Sequence, residues 1–390
     1  MDYLAVLGRQ KNISLAELES LFDKILVLSP KLATFKLTKY SPVNKAGEPD
    51  INRLGGVMKL AKEIKNPLEY IINDIKSSNY NGKIIIGVSD YSKKSSSKTS
   101  QRWALDLKAK LKKTEVIPDK KLSVRILANK NADLSTATVY HNHLCSKPGH
   151  FEIIHFNNRW FVGIGVQDIN AYTARDQARP ARDTKVGMLP PKLAQILINL
   201  CGPLPKNATV LDPFCGTGVV LQEAYLMGYR PYGTDLSERM VDYSLRNLTW
   251  IAKNHQQEST QNLSNISVGD ATNYTWNQPI DAVACEGYLG PPMSLTPTDI
   301  KLKVAKQECK TIILGFLKNI LPQITSGTPI VMAIPAWLRP DGHYQRLNIL
   351  DEIESMGYNV IKYNNLSQRD LLYYRDGQVV AREIIVLRKK

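Results

Sequence analysis

Three aspartates in the C-terminal half each end a short segment that is predicted to be a β-strand. Asp212 ends TVLD, Asp235 ends YRPYGTD, and Asp270 follows ISVG. In a βαβαβ unit the carboxyl ends of parallel strands meet at one edge of the sheet, so these carboxylates are expected to face one ligand. Carboxylates repel a phosphate and favour a ligand that carries an amine or another positive charge.

The segment 209-TVLDPFCGTG-218 is the most specific of the three. Pro213 stiffens the turn after Asp212, and Gly216 and Gly218 let a ligand approach the backbone before a helix begins. The segment lacks the GK[ST] of a Walker loop and the GxGxxG of dinucleotide enzymes. S-adenosylmethionine carries both an amine and a sulfonium charge, and it is the predicted cofactor. The residues predicted to contact it are Asp212, Pro213, Cys215, Gly216, Gly218, Asp235, Leu236, Asp270 and Ala271.

The stretch 285-CEGYLGPPM-293 follows a fourth predicted strand, 280-IDAVA-284, and should lie at the same edge. Methylation of an exocyclic base amine needs a hydrogen-bond acceptor for the amine, an aromatic face for the base and a stiff loop. Glu286 is predicted to accept from the amine and Tyr288 to hold the base. The alternative is an ordinary loop with an incidental tyrosine. Cys215 and Cys285 lack a base partner, which favours packing over nucleophilic roles.

Strands and helices alternate from residue 190 to the end, which predicts an α/β fold with a doubly wound, mostly parallel sheet. The N-terminal part reads as mixed α and β. There the Ser14-x-x-Glu17 spacing predicts a capping box that opens a helix through Leu21. Gly55-Gly56 is predicted to open a second helix over VMKLAKEIK.

The net charge of +15 is unevenly distributed. Residues 1–190 hold 31 Lys and Arg against 18 Asp and Glu, whereas residues 191–390 hold 20 against 18. A basic N-terminal half predicts a polyanionic partner there, although a solubilising surface charge is the alternative. The candidate RNA-binding residues are Lys93, Lys94 and Lys98 in a Ser-rich segment, and Arg175, Arg179 and Arg182, with Lys185, in the connector 170–192.

Several protein classes are disfavoured by composition. No apolar run reaches the roughly 18 residues of a membrane span, and no secretory signal is evident at the start. The five cysteines are odd in number and widely spaced, which argues against a disulfide framework or a zinc site. We therefore expect a cytoplasmic protein without a membrane partner or a metal.

With these residues assembled, the chain resembles the THUMP-domain tRNA guanine-N2-methyltransferases of the archaeal and eukaryotic position-10 type. The resemblance rests on ARDQARPARDTKVGMLPPKLAQILINL, VLDPFCGTG, GTDLSERMVDYSLRNLTW and DGQVVAREIIVLRK, and more loosely on the N-terminal part. It implies a Rossmann-like methyltransferase domain preceded by smaller α+β modules. The implied division is a ferredoxin-like module at 1–75, a THUMP RNA-binding domain at 76–168, a linker at 169–188 and the methyltransferase domain at 189–390.

The resemblance also implies partners and roles. The THUMP module would grip the tRNA acceptor end and place a guanine in the methyltransferase pocket, in keeping with the charge difference. Lys192 or Arg179 would be available to the carboxylate of the cofactor. A monomer is expected; the sequence does not show whether a small activating partner protein is required, as in the eukaryotic relatives.

The catalytic loop departs from the family pattern Asp-Pro-Pro-Tyr. If the tyrosines are aligned, Cys285 falls where the acid should be; if the acids are aligned, Glu286 matches, and this alignment is favoured. The predicted catalytic residues are accordingly Glu286, Tyr288 and Cys285. Two other functions stay open: an amino-methyltransferase on DNA or ribosomal RNA, and a tRNA-binding protein that no longer methylates.

Overall fold

The computed structural model describes residues 2–78, 80, 82–114, 122–183, 188–255 and 265–390. The chain forms two compact units. The first contains the residues up to Arg9, Phe22–Asn52 and Val57–Ala171. The second contains Gln10–Leu21, Arg53–Gly56 and Tyr172–Lys390.

The helices of the described residues, in chain order, are α1 Lys11–Leu21, α2 Pro67–Ser77, α3 Ser97–Lys113, α4 Thr136–His141, α5 Ile169–Gln177, α6 Pro191–Leu200, α7 Val219–Leu226, α8 Glu238–Asn254, α9 Asp299–Ile320 and α10 Leu350–Ser355. No helix in these ranges is both long enough and apolar enough to cross a membrane.

The strands of the described residues are β1 Tyr3–Leu7, β2 Asp23–Ser29, β3 Leu32–Lys36, β4 Val57–Ile64, β5 Ile84–Asp90, β6 Val124–Ile126, β7 His150–Phe156, β8 Arg159–Val166, β9 Thr209–Asp212, β10 Arg230–Asp235, β11 Ile266–Val268, β12 Ala282–Glu286, β13 Pro329–Leu338, β14 Tyr344–Arg346, β15 Tyr358–Val360, β16 Leu372–Tyr373 and β17 Val380–Lys389.

The first unit is built on one eight-stranded sheet in the order β2-β3-β1-β4-β8-β7-β5-β6. β5 pairs parallel with β6 and β7, and the other neighbours are antiparallel. Apolar side chains of α2 and α3 pack with those of β5, β6 and β7 in one core cluster. The sheet contains strands from both sides of residue 75, and the THUMP and ferredoxin-like assignments stay predictions.

The helix predicted for residues 57–65 is wrong, because this segment forms strand β4. β4 pairs antiparallel with β1 on one edge and with β8 on the other. Its side chains at Val57, Leu60 and Ala61 are buried. Pairing on both edges therefore outweighs the helical preference of the Leu, Lys and Glu residues in the segment.

The capping box predicted at Ser14 and Glu17 is also wrong, since α1 already begins at Lys11. Both side chains instead hold the glycine pair in the second unit. The Ser14 hydroxyl donates to the carbonyl oxygen of Gly56 at 2.7 Å. The Glu17 carboxylate accepts from the backbone N–H groups of Gly55 and Gly56 at 2.9 and 2.8 Å.

The second unit confirms the predicted doubly wound α/β fold. Its sheet has the order β11-β10-β9-β12-β13-β17-β15, with β14 and β16 at its margin. Strands β9 to β13 are parallel, and β17 is antiparallel to both β13 and β15. The chain moves outward from β9 to β10 on one side and continues with β12 on the other. Ligands of such sheets bind outside the carboxyl ends at this change of direction.

Candidate active site

The turn after β9 contains the two glycines that were predicted to let a ligand approach the backbone. Gly216 and Gly218 have φ angles of +52° and +77°, in the left-handed region. A Cβ atom on Gly218 would lie 2.8 Å from the Ser244 Oγ atom, so this position excludes larger residues. A Cβ on Gly216 would meet nothing nearer than 3.9 Å, which leaves the space beside its backbone open to a ligand.

Side chains from β10 and α8 fix this turn. The Gly216 N–H donates to Asp235 Oδ2 at 2.8 Å, and the Ser237 N–H donates to Asp235 Oδ1 at 2.9 Å. The Ser244 hydroxyl donates to the Gly216 carbonyl at 2.8 Å. Asn247 donates to the Thr217 carbonyl at 2.9 Å. The turn is thus preorganised, and Asp235, the last residue of β10, lies beside it.

Asp212 is the most deeply buried carboxylate of the site, with 2% of its surface exposed. The Phe214 N–H donates to it at 3.1 Å. Burial raises its pKa well above the usual value, and the negative charges of Asp235 and Glu286 raise it further. A cationic ligand would relieve this repulsion, which agrees with the charge predicted for the ligand.

The remaining predicted cofactor contacts differ in exposure. Leu236 is 75% exposed at the end of β10, and Ala271 is buried. Asp270 accepts from the backbone and the hydroxyl group of Thr272 through one oxygen, Oδ1. Pro213 accepts from the Thr234 hydroxyl at 3.3 Å through its carbonyl oxygen. Leu236 and Asp270 therefore present the more accessible groups on this side.

Two of the three connector arginines, Arg175 and Arg179, have side chains buried in the second unit. Arg175 pairs with the buried Glu223 at 2.7 Å. The Arg179 side chain is fully buried, and its Nε and Nη1 atoms have no hydrogen-bond partner among the described residues. Burial lowers the pKa of Arg179. Arg182 is exposed and donates to the Gln177 carbonyl at 3.3 Å.

The predicted RNA-binding residues therefore fall into a buried group and an exposed group. Arg175 and Arg179 offer no exposed guanidinium for a phosphate, whereas Arg182 does. In the first unit, Lys93, Lys94 and Lys98 are all exposed near the start of α3. Lys185 lies outside the described residues. RNA contact by any of these residues stays a prediction.

Lys192 lies in the first turn of α6, with its ammonium group 5.0 Å from the ring centroid of Tyr172. Burial and the nearby charge of Arg175 lower the pKa of Lys192. Arg175 stacks on the same ring, at 4.3 Å. Two cations therefore share one aromatic ring, which concentrates positive charge beside the connector.

Glu286, the last residue of β12, forms an ion pair with Arg382 of β17 through its Oε1 atom. Burial raises the pKa of the Glu286 carboxyl, and the Arg382 guanidinium partly offsets that effect. The second oxygen, Oε2, makes no hydrogen bond to the described residues. Glu286 can therefore accept a hydrogen bond from a ligand.

Tyr288 is held on the side of α9. Its hydroxyl donates to Glu308 at 2.8 Å, and its ring packs partly against the core. Burial, followed by the Glu308 contact, raises the pKa of Tyr288 to about 12, so the phenol stays neutral at physiological pH. Beyond it the loop turns at Gly290, which has a φ of +84°.

The two cysteines near the site are core residues. Cys285 has no exposed surface and Cys215 is 4% exposed. Burial raises the pKa of both thiols well above the usual value, so neither is a thiolate at neutral pH. The catalytic role predicted for Cys285 has no exposed sulfur to support it, and this arrangement agrees with the packing interpretation.

Sequence reasoning missed Arg382 and Glu308. Arg382 and Glu383 are adjacent opposite charges within the otherwise apolar run VVAREIIVL. Charged residues are seldom buried without a partner, so this pair could have indicated buried ion pairing. Glu308 carries no comparable signal, because it is one of several charged residues along α9.

Part of the second unit is similar in sequence to a known protein family. Residues 179–286 match a family model described as an RMKL-like methyltransferase domain. This segment contains the turn after β9, Asp235, Asp270 and Glu286. The segment that carries the candidate site is therefore similar to a methyltransferase domain.

Individual relatives are more specific. The chain is 31% identical over 165 residues to a tRNA (guanine(10)-N2)-dimethyltransferase from Methanothermobacter thermautotrophicus, covering 42% of this chain and 44% of that protein. It is 30% identical over 128 residues to the protein of the same name from Pyrococcus abyssi, covering 33% and 36%. The alignments thus span less than half the length of these relatives.

Among solved structures, TrmN from Thermus thermophilus aligns over 100% of both chains with 17% identity and a TM-score of 0.48. A possible methylase from Clostridium difficile 630 aligns over 100% of this chain and 97% of its own, with 12% identity and a TM-score of 0.42. Similarity at this level carries no information about substrate.

Proposed function

We propose that the protein is an S-adenosylmethionine-dependent tRNA methyltransferase that modifies the N2 amine of a guanosine, at position 10. The observation that carries the proposal is the convergence of Asp212, Asp235 and Glu286 beside a preorganised glycine turn. The alignment of the chain with tRNA (guanine(10)-N2)-dimethyltransferases supports the choice of substrate.

The residues present fit this cofactor. The open space at Gly216 admits a ligand against the backbone, and the buried carboxylate of Asp212 favours a cation. The Nε and Nη1 atoms of Arg179, which have no hydrogen-bond partner among the described residues, can donate to a carboxylate. Asp235 would hold the ribose hydroxyl groups, and Asp270 the adenine amine. When bound, S-adenosylmethionine supplies an electrophilic methyl group.

On the substrate side, the protein orients an amine and accepts its proton. The Glu286 Oε2 atom accepts a hydrogen bond from the base amine and so directs the nitrogen lone pair toward the cofactor side. Tyr288 lies against α9, where its ring can contact the base. The proton released from the nitrogen passes to Glu286 or to water.

The binding of tRNA follows from the same proposal. The exposed Lys93, Lys94 and Lys98 belong to the basic N-terminal half, and Arg182 adds an exposed cation near the methyltransferase domain. Phosphate contacts of this kind supply affinity without sequence information. A cytoplasmic monomer is part of this proposal, and the five cysteines, all free, are compatible with a reducing compartment.

The proposal is tested by mass spectrometry of tRNA nucleosides from cells that carry or lack this gene. We expect N2-methylated guanosine to decrease in the cells without the gene and the loss to map to one position. Reintroducing the gene should restore the mark, and the Glu286→Gln variant should not. An unchanged nucleoside profile, or loss of a mark on ribosomal RNA or DNA, would refute tRNA as the substrate.

A further inference from the structure

The ion pair between Glu286 and Arg382 crosses a strand. Glu286 is paired in register with Ala333 of β13, and Arg382 is paired with Pro335 of the same strand. Residues two apart on a strand share a face, so all four side chains lie on one face of the sheet. Arg382 therefore reaches diagonally over β13, past two short side chains, to the carboxylate at the end of β12.

This arginine is positioned for a role that packing alone does not require. Only 5% of its side chain is exposed, and its Nε atom donates to Glu286 Oε1. A buried guanidinium is costly unless it is paired. Because Arg382 engages one oxygen and leaves the other without a partner among the described residues, it fixes the direction in which Glu286 can accept.

The structure assigns Arg382 as a positioning residue that holds the Oε1 atom of Glu286 and so orients its Oε2 atom toward the substrate amine. This inference rests on the proposed function of the same site. It also explains how the loop works without the Asp-Pro-Pro-Tyr sequence: a distant arginine replaces local rigidity in fixing the acid.

The surrounding charges make this role necessary. Asp212 on β9 interacts repulsively with Glu286, and Asp235 on β10 interacts repulsively with Asp212. Cys285, on the same strand as Glu286, is a buried thiol whose raised pKa keeps it neutral. Arg382 on β17 is the cation that opposes the effect of burial on the pKa of Glu286. Its removal should therefore raise that pKa, and the fraction of Glu286 that is ionised and able to accept through both oxygens should fall at a given pH.

The experiment compares three variants. Arg382→Gln removes the charge, Arg382→Lys retains it with altered geometry, and Arg346→Gln is the matched control. Arg346 of β14 pairs at 2.5 Å with Glu383 of β17, the strand that also holds Arg382, and both side chains are largely buried. Loss of the Arg346–Glu383 pair should disturb the sheet about as much as loss of the Arg382–Glu286 pair. It should not change the pKa or the orientation of Glu286.

For Arg382→Gln we expect kcat at pH 7 to fall roughly 10- to 100-fold, less than the roughly 10²- to 10⁴-fold of a proton acceptor itself because Glu286 is still present, with KM for tRNA little changed. The acidic limb of the kcat–pH profile should move to higher pH, so activity recovers in part as pH rises. Arg382→Lys should restore much of the wild-type profile, and Arg346→Gln should keep its shape. A uniform loss at every pH, equal in the Arg346→Gln control, would reduce Arg382 to a structural residue.

A second readout does not depend on activity. The ionisation of Glu286 is followed by NMR of protein labelled with ¹³C at glutamate carboxyls, with Glu286→Gln to assign the resonance. The midpoint should rise in Arg382→Gln and stay at the wild-type value in Arg346→Gln. An unchanged midpoint in Arg382→Gln overturns the inference even in an active enzyme. A raised midpoint in a protein that methylates no tRNA supports the pairing while rejecting the proposed function.

Discussion

The two sides of the candidate site are built differently. On the cofactor side, contacts join residues close in sequence: the Gly216 N–H meets Asp235, 19 residues away, and Ser244 meets Gly216 across 28 residues. On the substrate side, Glu286 is fixed by Arg382, 96 residues away. The geometry of the cofactor side is set by a local sequence motif, whereas the Glu286–Arg382 contact of the substrate side depends on the order of strands in the sheet. In the proposed role of Arg382, a residue far along the chain therefore holds the acid in a loop that lacks the Asp-Pro-Pro-Tyr sequence.

The largest effect on kcat is expected for a substitution of Glu286, the predicted proton acceptor on the substrate side. Glu286→Gln keeps the shape of the side chain but removes the charge that accepts the proton. We expect kcat to fall by about 10²- to 10⁴-fold, with cofactor and tRNA binding retained, because positioned acid–base groups contribute on this scale. Methyl transfer and isothermal titration measure the two properties separately. Full activity of this variant, alongside an unaffected Glu354→Gln control, would remove Glu286 from the mechanism.

The cofactor side should fail in binding rather than in chemistry. Gly218→Ala places a Cβ in a left-handed conformation 2.8 Å from Ser244 Oγ. We expect a loss of about 1–3 kcal/mol in stability and at least a roughly tenfold weaker affinity for S-adenosylmethionine. Gly228→Ala is the control, since Gly228 also has a positive φ but a Cβ there would meet nothing within 4 Å. Equal cofactor affinity in the two variants would contradict the role of the turn.

A third prediction concerns the pH dependence of stability. It involves Glu17, which accepts hydrogen bonds from the distant Gly55 and Gly56. Burial raises the pKa of Glu17 to about 7 from its ordinary 4.5. Below pH 4.5 the Glu17 carboxyl is protonated in both the folded and the unfolded forms, and its contribution to the free energy of unfolding is greatest. Between 4.5 and 7 the unfolded form ionises first, so this group makes stability fall as pH rises, by at most about 1.4 kcal/mol per pH unit.

Glu17→Gln should therefore show a flatter decline in Tm between pH 5 and 7 than the wild type. Burial also raises the pKa of Glu223 to about 7. Glu223 is present in both proteins, so its effect on the pH dependence of Tm cancels in the comparison. Parallel Tm–pH curves for the two proteins would show that Glu17 ionises normally.

The smallest effect is expected at the hydroxyl group of Tyr288. Its hydrogen bond to Glu308 is exposed, and such a bond contributes about 0.5–1.5 kcal/mol at most. Tyr288→Phe should therefore change kcat less than about tenfold, whereas Tyr288→Leu, which removes the aromatic ring, should raise KM for tRNA more strongly. If Phe and Leu behave alike, the ring does not hold the base.

The same contrast explains what the sequence could predict. Asp212 and Asp235 are the last residues of β9 and β10, and Asp270 follows β11 by two residues, so local patterns were sufficient to predict the parallel sheet, which is confirmed. Arg382 could not be placed, because its contact requires the antiparallel insertion of β17 beside β13. For the same reason VMKLAKEIK was predicted as a helix, although pairing with β1 and β8 makes it a strand.

The proposed methylation of a tRNA guanosine is tested by incubating the purified protein with unmodified tRNA and a methyl-labelled donor, then digesting the tRNA and identifying the labelled nucleoside. Parallel reactions contain tRNA with guanosine at position 10 replaced by adenosine. We expect label in N2-methylated guanosine, lost in the substituted tRNA and in Glu286→Gln. Label that persists in the substituted tRNA, or resides in another nucleoside, would contradict the proposal.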